Sequence, residues 1–69
     1  MDDNADPELA ALGIRLRQIL LELARREETI ALSEAAAVPY WAPHPVSVIG
    51  HRAAAEALRS EADRFLQAS

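Results

Sequence analysis

Four prolines decide most of what this 69-residue chain can fold into. Pro7 stands near the start, while Pro39, Pro43 and Pro45 crowd into one central stretch. Proline lacks the amide donor and clashes with the preceding turn, so a helix tolerates it only at its opening. Between Pro7 and Pro39 nothing of the kind intervenes. Asp6 offers a capping carboxylate, Pro7 takes the first helical position, and Glu8 faces the positive end of the helix dipole. Gly13 is then the only poor helix former in a run of Leu, Ala, Arg and Glu.

These signals predict a long helix over about 7–37, a proline-rich loop over 38–50 and a shorter helix over about 51–67. At ~1.5 Å per residue the two helices reach about 45 Å and 25 Å. No repeat and no useful strand alternation appears, apart from Val46, Val48 and Ile49 as a brief extended piece. The expected fold is an all-α, two-helix antiparallel hairpin, one domain over residues 6–69 behind a disordered acidic lead over residues 1–5.

A hairpin of this size buries only about 60% of the surface its unfolded chain exposes. There is no cysteine, which removes disulfides and cysteine-based zinc sites and leaves association as the remaining stabiliser. Hydrophobic residues make up 51% of the chain, yet no apolar run approaches the roughly 18 residues a membrane span needs. The start Met1-Asp2-Asp3 has no basic region ahead of an apolar stretch, so no secretory signal is expected and the location is read as cytoplasmic. The net charge of -4, with arginine as the only cation, does not favour a phosphate backbone.

Projection of the first helix at ~100° per residue puts Leu9, Leu12, Leu16, Ile19, Leu20, Leu23 and Ile30 on one face in heptad spacing. Ile14, Leu21 and Leu32 form a second, sparser stripe on the opposite side. The second helix offers a narrower face of Ala54, Ala55, Leu58, Ala62 and Phe65, and one such partner cannot cover both stripes. A homodimeric four-helix bundle resolves this, with Leu9, Leu12, Leu16, Ile19, Leu23, Ile30, Leu58 and Phe65 as the self-association seam. Ile14, Leu21 and Leu32 then meet another chain or the returning loop.

Within the loop, Tyr40, Trp41 and His44 are candidate partner-binding residues, since Tyr and Trp on a proline-braced backbone lose little entropy on binding. The competing expectation, preferred for a chain with so few aromatics, is that Tyr40 and Trp41 fold back to cap the bundle. Glu27 and Glu34 continue the main stripe, and His51 shares a face with Leu58 and Phe65. Metal chemistry is not expected of this trio, because the Glu-x-x-His spacing of di-metal bundles is missing. The simpler expectation is that the two carboxylates lie at a frayed helix end, with His51 satisfying orphan groups at a helix start.

Arg15, Arg17, Arg25 and Arg26 make the first helix locally basic and raise the alternative of an RNA-binding hairpin dimer. Glu22, Glu27 and Glu28 interleave with them, so a solvated face with a Glu22–Arg26 pair is expected instead. Serines and threonine lack a partner base or glycine-rich loop, so neither catalysis nor a cofactor is expected. The functional expectation is a small non-enzymatic interaction module, acting as a homodimer on another protein as regulator, adaptor or inhibitor. The alternative is an obligate accessory subunit of a larger complex.

Overall fold

The computed structural model describes residues 7–67, so the expectations for the acidic lead and for Asp6 as a cap lie outside the described residues. Two helices make up the fold: α1, Pro7–Ala36, and α2, Val46–Gln67, packed against each other as a hairpin. The all-α hairpin expected from the prolines is what forms, and no strand occurs among the described residues. The molecule is a rod of 60 × 13 × 12 Å, and the described residues supply no third layer to bury a face the two helices leave open.

The second helix starts earlier than its composition implies. Val46, Ser47, Val48, Ile49 and Gly50 are helical, so the extended piece expected there does not form and the connection shrinks to residues 37–45. Pro45 stands just before the first helical residue, where its missing donor costs nothing, and its carbonyl accepts from the Val48 amide at 3.0 Å. The β-branched residues are weak helix formers, but Val48 is completely buried in the helical arrangement. Tertiary burial overrides a propensity deficit of a few tenths of a kcal/mol per residue. At its far end α2 reaches the second turn of α1, where the Cβ position of Gly13 lies 3.8 Å from Phe65 Cδ1. Helix one is therefore matched in length over most of its course, and what remains open is its width.

The inter-helix seam is made of small residues. Ala24, Ala31, Val48, Ala55 and Ala62 are the buried hydrophobic side chains, at seven-residue intervals along each helix. The leucine stripe expected to form the bundle seam is not what closes the hairpin. It lies about a quarter turn round α1 from Ala24 and Ala31, by the ~100° projection. Alanine lets two helices approach closely along their whole length, whereas leucines in the same positions would hold them apart. Arg17 falls one heptad before Ala24; it is half-buried, and its Nε is buried with no hydrogen-bond partner among the described residues.

Candidate functional site

Because α2 packs on the alanine stripe, α1 presents one apolar flank on each side of the seam. Leu9, Leu12, Leu16, Ile19, Leu23 and Ile30 make the broader flank, between 38% and 64% exposed. Leu20, Leu58 and Phe65, all half-buried, border it. These residues form one face of the hairpin, since α2 side chains bonded to Glu27 and Glu34 must lie on the stripe's side. All eight residues of the expected self-association seam are thus brought together on one side of the rod.

Near the loop end this flank carries a polar network. The His51 Nδ1–H donates to Glu27 Oε1 at 2.6 Å, and His51 Nε2 lies 3.7 Å from Glu34 Oε2. The Ser47 hydroxyl donates to the other oxygen of Glu34 at 2.6 Å. His51 and Glu27 are each 29% exposed at the side chain. The hydrogen bond that His51 donates to Glu27 raises the His51 pKa above its ordinary 6.5; partial burial opposes this, and the charges of Glu27 and Glu34 reinforce it. The expectation that His51 serves a helix start and the carboxylates a frayed end is overturned. With α2 beginning at Val46, His51 sits beyond the first turn and faces α1 across the seam. Ser47 was invisible as a member because the prolines made its segment read as loop.

The opposite flank is sparser. Ile14 and Leu32 are 59% and 66% exposed, Leu21 is half-buried, and the loop does not fold back to cover them as one expectation had it. A shallow groove beside Leu32 is lined by Ala55 of the seam with Arg52 and Glu56, and Arg59 of α2 pairs with Glu28 across it. Glu22 pairs with Arg25 at 2.7 Å, one residue short of the Arg26 partner expected from the spacing. The i, i+3 geometry reaches the carboxylate as readily as i, i+4 on an exposed helix face.

The third region is the tip. Tyr40 is 98% and Trp41 74% exposed, so the expectation that they fold back to cap the bundle is overturned. Their segment is held instead by local bonds, from the Ala37 amide to Glu34 O and from the Ala42 amide to Pro39 O at 3.0 Å. The second of these turns opens on Pro39 and is followed by Pro43, and it carries both rings in water. Val46 and Ile49 are also exposed and extend this surface, and His44 is exposed beside them. Residues 35–50 contain no Asp, Glu, Arg or Lys, a signal in the sequence that marks the end of the rod as uncharged. Among the described residues no helix is long and apolar enough to cross a membrane. Comparison with protein-family models, with curated proteins and with solved structures finds no match to this chain.

Proposed function

We propose that this chain is a non-enzymatic interaction module that works as a cytoplasmic homodimer, two hairpins meeting on the Leu9–Ile30 flank to close a four-helix bundle. One observation carries the reading: six of the seven leucine and isoleucine side chains of that stripe stay partly or mostly in water while the hairpin seals itself chiefly with alanine. Fully burying a leucine or isoleucine contributes roughly 1.5 to 3 kcal/mol, and with about half of each side chain still in water, covering the six is worth an amount comparable to the stability of so small a domain. From Leu9 to Ile30 the flank runs about 32 Å at ~1.5 Å per residue. Two helices side by side make it roughly 18 Å wide, a projected footprint of roughly 580 Å² per copy, at the lower edge of the ~600 to 1,000 Å² per partner that specific interfaces bury.

A second protein is then met by the uncharged tip, where Tyr40 and Trp41 are hot-spot residue types already held in place. The exposed Ile14 and Leu32 favour a second reading, in which the chain is an accessory subunit docked permanently through both flanks. Sedimentation equilibrium over a wide concentration range, with helicity followed in parallel, separates the two. A helical dimer supports the homodimer. A monomer that is poorly helical at every concentration removes it and favours the accessory subunit.

A further inference from the structure

The broad flank is not uniformly apolar, and its one polar patch is built from both helices. Glu27 and Glu34 come from α1, and Ser47 and His51 from α2. We infer that this network makes assembly on the flank proton-linked, the dimer being tightest with His51 as an imidazolium and loosening as that proton is lost. The inference rests on the homodimer proposed above.

The geometry supplies the sign. A neutral imidazole carries one N–H, and the 2.6 Å contact with a carboxylate assigns it to Nδ1. Nε2 then turns a lone pair towards Glu34 Oε2 at 3.7 Å, and the patch holds two carboxylates with no cation between them. Protonation places a second N–H between ring and Glu34, leaves one net negative charge, and gives both carboxylates a charged partner. The Ser47 hydroxyl already satisfies the remaining oxygen of Glu34. Covering the flank with a second copy removes water from this patch, and the cost is far greater for two uncompensated carboxylates than for a bridged set.

Among the described residues no other charged side chain is bonded to His51. The facing groups on α1 are Glu27 and Glu34, and Ser47 is the polar neighbour one turn back on α2. Arg52 follows in sequence but lines the groove on the opposite flank. A third helix is absent among the described residues.

A group whose pKa is raised on assembly contributes stability below its free value, and that contribution is lost as pH rises through the raised value. Each copy brings one His51, so a dimer binds up to two extra protons, and its dissociation constant rises at most ~100-fold per pH unit.

The test is sedimentation equilibrium of the full chain at pH 6 and pH 8.5, with helicity recorded in each cell. The wild-type dissociation constant is expected to be at least about tenfold larger at the higher pH, and H51Q, whose amide can still donate to Glu27, is expected to lose that dependence. A dimer whose affinity changes less than about threefold, or an H51Q dimer with undiminished pH dependence, overturns the proton link while leaving the homodimer standing. A wild type monomeric at both values overturns the homodimer and this inference with it. Should H51Q not fold, E34Q serves in its place: it removes the charge facing Nε2, and the pH dependence is expected to shrink. An undiminished dependence in E34Q overturns the link.

Discussion

The seam between the helices and the broad flank beside it share the same stretch of α1 and differ in side-chain size. Ala24 and Ala31 are fully buried, whereas Leu16 and Leu23 stay partly exposed. Apolar residues of both kinds recur at heptad intervals, so periodicity alone does not say which stripe α2 will choose. Size does. A seam of alanines allows close, continuous approach but removes little apolar area per residue from water, and the leucines stay partly in solvent. The difference teaches that the strongest apolar stripe of a small helix need not be the one its own hairpin uses.

The largest effect should come from cutting back the flank. Replacing Leu16 and Ile19 together with alanine is expected to weaken the dimer by roughly 4 kcal/mol or more, because two sites in each of two copies make four truncations, each costing about 1 kcal/mol of the burial gained on assembly. The dimer dissociation constant, read by sedimentation, checks this; an unchanged value would mean that the flank is not the contact surface.

Next in size is overpacking the seam. Ala55→Leu should cost about 1 to 3 kcal/mol by forcing the helices apart, measured as a lowered denaturant midpoint, whereas Ala53→Leu on the exposed side of α2 should leave stability within about 0.5 kcal/mol. Equal effects from the two would deny the seam its role.

A gain is expected at Arg17, whose Nε is buried without a hydrogen-bond partner among the described residues. Arg17→Met keeps the length of the side chain and removes the unpaired donor, and should raise stability by about 1 kcal/mol in thermal or chemical unfolding. The smallest effect belongs to the tip: Trp41→Ala should shift stability by no more than about 0.5 kcal/mol, since the ring is mostly in water. The emission of Trp41, the only tryptophan, should accordingly be that of a solvated indole and open to quenching by iodide. Strong protection in the isolated dimer would show the tip packed on the second copy.

Much of this was legible beforehand, and what was not has particular causes. Pro7 and the three central prolines mark both helices and the turn between them. The six flank residues of α1 were legible as one face because their spacing is regular, whereas Leu58 and Phe65 join them only through the packing of α2. The start of α2 was missed by five residues, as Val46, Val48 and Ile49 prefer strands and Gly50 prefers turns until burial of Val48 against α1 decides otherwise. Ser47 was missed for the same reason, and with it a quarter of the polar network. The exposure of Tyr40 and Trp41 ran against the expectation drawn from the scarcity of aromatics, because the short proline-pinned turns cannot bend the rings back onto a rod only two helices thick.

The sequence by itself determined that the chain is a helical hairpin and that its apolar surface exceeds what one hairpin can bury, since proline placement and heptad spacing act locally along the chain. Only the tertiary structure decided that alanines close the hairpin, that the leucines remain outside, and that His51 bridges Glu27 and Glu34. Those outcomes depend on the rotation of one helix against the other. That rotation is settled by close packing between residues distant in sequence, which no pattern along a single helix records.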